Sequence, residues 1–197
     1  MNLWLARHAQ PLIGAGICYG VLDVAADAAL TSAAAKSLAA HLPLNTLCRV
    51  SPLRRCQQLA AMLALLRPDL SINSSTCTDA RLSEMDFGQF EGQPWANIPK
   101  AAVDVWTADF GNHRFGGNES ANEVLQRVKT ALDDHAALHA SNVLWITHAG
   151  VIRAASLLKQ GINRVTSPEQ WPPAVVEFGC FTNIDYSVLH PKIESAP

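Results

Sequence analysis

Two histidines close apolar runs in this chain. Arg7-His8 follows Leu3-Trp4-Leu5-Ala6, and Thr147-His148 follows Val143-Leu144-Trp145-Ile146. A run of that length reads as one buried strand, and the carboxyl ends of strands in an open α/β sheet are where ligands sit. Arg54 and Arg55 open the segment after a third short run, 47–50, and Glu84 lies in a stretch with glycines. An isolated Arg-His pair is usually a solvated strand end; its recurrence beside further arginines and an acid points to a site. Two arginines, two histidines and one carboxylate suit phosphoryl transfer through a histidine. Guanidinium forks hold phosphate oxygens in pairs. A neutral imidazole can attack phosphorus and split one displacement into two. A carboxylic acid can protonate the departing alkoxide, and its carboxylate can then deprotonate water.

The elements that must carry these groups alternate between strand and helix. After the first strand, residues 12–27 form a glycine-containing loop around Cys18-Tyr19-Gly20, long enough to cover a site. An alanine-rich helix is predicted over 31–42 with Thr31 as its N-cap, then a strand over 47–50. Ser51-Pro52 reads as N-cap and first residue of the next helix, with Leu59, Leu63 and Leu66 on its core face. A weak strand is expected over 71–76, a loop over 81–92, and a helix over 100–110. Ser120 and Glu123 form a capping box for a helix with Leu125, Val128, Leu132 and Ala136 on one face. The strand over 142–147 is the clearest in the chain; a helix over 151–159 and an edge strand over 175–181 follow, and residues beyond about 190 are expected to fray. This predicts one α/β domain over 1–197, a three-layer sandwich with a mainly parallel sheet and helices on both faces.

With 197 residues, 49% hydrophobic and 16% charged, the chain is long enough for one sizeable core. A net charge of −2 gives no reason to expect nucleic acid or a membrane surface as partner. Five cysteines without a Cys-x-x-Cys pair argue against a disulfide framework or zinc cluster. With no signal-like N-terminus and no apolar run of spanning length, a cytoplasmic protein is expected. His41, His113, His135, His139 and His190 are expected at the surface. His135 and His139 are four apart on one helix, but no third ligand is identifiable and no metal is expected.

Four motifs, in order, resemble the histidine phosphatase superfamily, the phosphoglycerate-mutase-like fold, from residue 1 to about 185. They are Arg7-His8-Ala9, Ser51-Pro-Leu-Arg-Arg55, Leu82-Ser-Glu84-Met-Asp-Phe87-Gly88-Gln-Phe-Glu91-Gly92, and Thr147-His148-Ala149-Gly150-Val-Ile-Arg153. The resemblance implies His8 as nucleophile, Glu84 as proton donor and acceptor, and Arg7, Arg55 and His148 as phosphate ligands, with no cofactor. It singles out Arg55 over Arg54 and leaves Arg54, Arg153 and Asp86 structural or solvated. Glu119, in a Gly-Asn-Glu-Ser run, divides evenly between a site-edge role and helix-start electrostatics; Ala149, beside His148, is a second edge position.

Ala9 and Ala149 stand where the family has glycine, at a cost of ~1 kcal/mol if either backbone needs positive φ. The mutases' Glu-Ser-x-Trp-Asn run after the histidine is here Gln10-Pro-Leu-Ile-Gly14, which favours a phosphatase over a mutase. The opening Leu-Trp-Leu-x-Arg-His and the Cys18-Tyr-Gly20-x-x-Asp23 loop look most like the alpha-ribazole phosphatases of cobalamin synthesis. The expected partner is therefore a small phosphate ester, alpha-ribazole 5′-phosphate among them. A phosphoglycerate mutase-type transferase and a non-catalytic phospholigand-binding protein are the alternatives. Whether the chain is a monomer or a homodimer is left open.

Overall fold

In a computed structural model, which describes residues 1–72, 77–172 and 176–186, four strands form one sheet in the order β2-β3-β1-β4. The strands β1 (Asn2–Arg7), β2 (Leu47–Val50) and β3 (Asn142–Thr147) run parallel, and β4 (Phe181–Asp185) pairs antiparallel with β1 at the edge. Parallel strands are covered on both faces, which is why β1 and β3 read as nearly continuous apolar runs.

The pleat sends alternate side chains to two cores. Leu3, Leu5, Val143 and Trp145 pack with helices α4 (Ala121–Ala136) and α5 (Ala149–Lys159). Ala6, Cys48, Val50, Leu144 and Ile146 pack with α1 (Ala28–His41) and α2 (Arg54–Leu66) on the opposite face. The result is the expected three-layer α/β arrangement. A short helix, α3 (Lys100–Ala108), lies outside these layers. Deleting a fully buried leucine such as Leu5 or Leu63 costs ~2–5 kcal/mol in such cores.

The register places the chemistry. Arg7 pairs with Thr147 across β1 and β3, so His8 and His148 leave adjacent strands side by side. Val50 pairs with Ile146, so Ser51 emerges at the same edge.

Several boundaries differ from expectation for local reasons. Asp27, not Thr31, caps α1: its Oδ1 accepts from Leu30 N–H at 2.8 Å, while the Thr31 hydroxyl donates to Asp27 C=O. Ser51 does not cap α2, which starts at Arg54 with no side-chain cap; the serine hydroxyl lies 2.8 Å from His148 Nε2 and accepts from Leu53 N–H ahead of the helix. Leu66 is exposed, whereas Leu59 and Leu63 are buried. The last strand begins at Phe181, because Gly179 adopts a left-handed φ of 73° and donates its N–H to His8 C=O, breaking any strand over 176–180. The Ser120–Glu123 capping box is present. Residues 73–76, most of the expected strand over 71–76, lie outside the described residues, as do Val175, His190 and the segment expected to fray. Among the described residues no helix is long and apolar enough to cross a membrane.

Candidate active site

His8 is 2% exposed at the end of β1. Its Nδ1 lies 2.8 Å from Ala9 C=O, which can only accept, so the neutral ring carries its proton on Nδ1 and presents the Nε2 lone pair. Burial, reinforced by the nearby charges of Arg55 and Arg7, pushes its pKa from 6.5 down to about 3. At neutral pH the ring is therefore uncharged.

Arg55 is fully buried on the first turn of α2, and its Nε donates to His8 Nε2 at 3.2 Å. Its Nη1 and Nη2 donate to Leu22 C=O at 2.8 Å and Gly20 C=O at 2.5 Å. The same turn is held from its other side by Glu91, whose carboxylate accepts from the N–H groups of Gly20, Val21 and Leu22, and also from Phe87. Arg55 and Glu91 thus grip one loop by its carbonyls and its amides. Gly20 is required there, since a Cβ would lie 1.8 Å from Met85 C=O. Arg54, one residue earlier, faces solvent.

His148 is fully buried behind His8, with ring centroids 5.0 Å apart and Ser51 Oγ 2.8 Å from its Nε2. Burial, then the charge of Arg55, holds its pKa well below the usual imidazole value. Arg7 donates from Nη1 to Val176 C=O and lies 3.7 Å over the Phe178 ring. Its Nε is buried with no hydrogen-bond partner among the described residues. Burial lowers its pKa, against the pull of Tyr19 and Glu84.

Arg7, His8 and Glu84 meet in one cavity of about 360 Å³. Glu84 is held by three N–H contacts: Gly150 N–H reaches both carboxylate oxygens at 3.1 Å, and Met85 N–H reaches Oε1 at 3.0 Å. A Cβ on Gly150 would lie 2.3 Å from Oε1, so the glycine is needed for this approach. Arg55 and His148 lie beneath the cavity surface, in contact with or packed beside His8.

Other expected positions separate from the cavity. Asp86 accepts from Gly88 N–H and Asn118, and Glu91 is committed to the loop contacts above, which leaves Glu84 as the acid in the cavity. Glu119 is not at the cavity edge. It pairs with Arg127 at 2.6 Å and accepts from Asp86 N–H, while Arg127 Nη1 donates to Arg81 C=O and Ser83 C=O. This ion pair therefore brackets Glu84 on both sides in sequence. Ala149 opens α5, and neither it nor Ala9 has positive φ, so both alanines are unstrained.

Arg153, expected to be structural or solvated, lines the cavity and donates from Nε to Pro172 C=O; its place in the fourth motif was the available signal. Tyr19, 5.6 Å from Arg55 in a cation–π geometry, also lines it. His135 is buried, not superficial: its Nδ1 accepts from Trp145 Nε1–H at 2.9 Å and its Nε2 lies 3.3 Å from Asp79.

The family model for the histidine phosphatase superfamily, branch 1, matches residues 3–187. The chain belongs to this superfamily. A putative phosphoserine phosphatase 2 of Hydrogenobacter thermophilus is 30% identical over 115 residues, 57% of this chain and 54% of that protein. The chain thus matches about half the length of that relative. Among solved structures, a mycobacterial glucosyl-3-phosphoglycerate phosphatase in complex with VO3 superposes with a TM-score of 0.75 at 23% identity, covering 93% of this chain and 92% of the other. A protein from Thermus thermophilus gives 0.68 at 24% identity over 94% of both chains. At such identities the likeness to these two structures is one of fold.

Proposed function

We propose that the protein is a phosphomonoesterase that works through a phosphohistidine on His8. The observation that carries this is the His8 ring, neutral, held in one tautomer by Ala9 C=O, and lining a cavity shared with Arg7 and Glu84. Arg55 Nε–H donates to the ring's Nε2 lone pair. An incoming phosphoryl group takes its place, and the guanidinium turns its Nε–H to a phosphoryl oxygen. Arg7 joins it from the cavity wall, His148 stays buried beside the His8 ring, and the guanidiniums neutralise the charge that gathers on the transferring oxygens. As the P–O bond breaks, Glu84 gives its proton to the leaving alkoxide, and its carboxylate then takes a proton from the water that attacks the phosphohistidine.

For the substrate, the residues around Cys18-Tyr19-Gly20 favour alpha-ribazole 5′-phosphate. The names of the relatives add phosphoserine and glucosyl-3-phosphoglycerate to the panel to be assayed. The deciding experiment is rapid alkaline quench with substrate labelled in the phosphate. Label should appear on His8, stable to alkali and lost in mild acid. Full activity of His8→Ala would end the proposal.

A further inference from the structure

Above its polar floor the cavity is walled by rings that phosphoryl transfer does not use. Tyr19, Phe87, Trp95, Trp106, Phe110 and Trp171 line it. All but Tyr19 pack on other rings. Phe115, fully buried, stacks on Trp106 at 4.3 Å and 21° and on Trp95 at 5.8 Å and 9°. Phe87 meets Trp95, Trp106 and Phe115 edge-on, and Phe110 lies against both Trp106 and Trp171. Rings packed on one another in this way form a preformed surface that needs no ordering when a ligand arrives. The cavity of about 360 Å³ has room for roughly twelve waters at ~30 Å³ each, far more than the five heavy atoms of a phosphate need.

We propose that the alcohol half of the substrate carries a flat, apolar ring, so that the enzyme takes phosphate monoesters of aromatic-bearing alcohols. This rests on the phosphatase reading above. Ring faces and edges favour offset-stacked or edge-to-face partners. Against this wall, whose polar atoms are the Tyr19 hydroxyl and the indole N–H groups, a polyhydroxylated or zwitterionic alcohol would recover only part of the hydrogen bonds it loses from water. The charged side chains that line the cavity are Arg7, Glu84 and Arg153, beside the neutral His8, and Arg153 already donates to Pro172 C=O. These groups serve the phosphate end, and most of the remaining lining is aromatic.

The test separates binding from turnover. The full chain is titrated by calorimetry with 3-phenylpropylphosphonate and with propylphosphonate, which have no P–O–C bond to cleave. In parallel kcat/KM is measured for 3-phenylpropyl phosphate, propyl phosphate and phosphoserine. The ring should tighten binding by about tenfold or more and raise kcat/KM by a similar factor, mainly through KM. Trp106→Leu should bring the ratio between phenylpropyl and propyl compounds down toward one. Trp106→Phe, which keeps a ring there, should hold most of it. Equal binding of the two phosphonates, or phosphoserine as the best substrate, overturns the aromatic site. A retained binding preference with no ester hydrolysed overturns the phosphatase reading instead and leaves the ring wall as a binding surface.

Discussion

Lowering the pH should destabilise the fold through His8, by an amount that follows from its burial. In the folded chain the ring is held at a pKa of about 3, against an ordinary 6.5. Between those values the unfolded chain binds a proton that the folded chain refuses. Stability therefore rises with pH through this window and is lost as pH falls below 6.5 toward 3. One such group contributes about 1.4 kcal/mol per pH unit once well inside the window, and so about 2 kcal/mol between pH 7 and pH 5. That is a large share of the ~5–15 kcal/mol that holds a domain together. The assay is urea unfolding of wild type and His8→Asn at both pH values. Phosphate-free buffer is needed, because an anion bound only by the folded state would add its own stabilisation. The other titratable groups are common to both proteins, so the difference reports His8 together with its coupling to His148. Wild type should lose about 2 kcal/mol more than the variant on acidification. Equal losses would mean that His8 is solvated enough to protonate in place, and the argument for a permanently neutral nucleophile would fall with it.

Two further perturbations address the acid. Arg127→Met should release the bracket around Glu84 and cut single-turnover phosphoryl transfer from alkyl esters by about tenfold or more, with a smaller loss on p-nitrophenyl phosphate, whose leaving group needs no proton. Equal losses on the two esters would show the pair to be merely structural. Gly150→Ala should leave urea stability within about 1 kcal/mol of wild type, since alanine is the better helix former. Its methyl would displace the Glu84 carboxylate and lower alkyl-ester kcat/KM about as far as Glu84→Gln does; wild-type activity in this variant would mean that the observed carboxylate position is not the working one.

What could be read from the sequence and what could not divides along physical lines. Strand ends were legible, because a buried apolar run that stops at Arg7-His8 or Thr147-His148 has one place to go in a parallel sheet. Side-chain allegiance was not. Ser51 has the residue type and position of an N-cap, but its hydroxyl serves His148, a residue 97 positions away that no local rule can weigh. His135 was legible in principle: it falls three residues after Leu132 and seven after Val128, on the buried stripe of α4. A histidine there is tolerated because Trp145 and Asp79 occupy both ring nitrogens. Arg127 carries no motif at all; it matters through carbonyls of the 81–83 segment, which only the tertiary fold brings to it.

The same division explains how the proposed machinery is built. In-line displacement needs its groups placed to within ~0.5 Å, and His8, Arg55 and His148 sit at a strand end, a first helical turn and a helix N-cap. Glu84 alone hangs on irregular chain. It compensates with tethers from outside that chain: Gly150 N–H directly, and the Arg127–Glu119 pair through Ser83 and Asp86 on its two flanks. The alcohol half of a substrate needs only a complementary surface, and the rings that offer one come largely from the 87–115 stretch, loops around the short helix α3, steadied by their own stacking. A change of substrate can therefore be written into that stretch without moving a phosphate ligand, whereas anything that loosens the bracket around Glu84 must act on every substrate whose leaving group needs a proton.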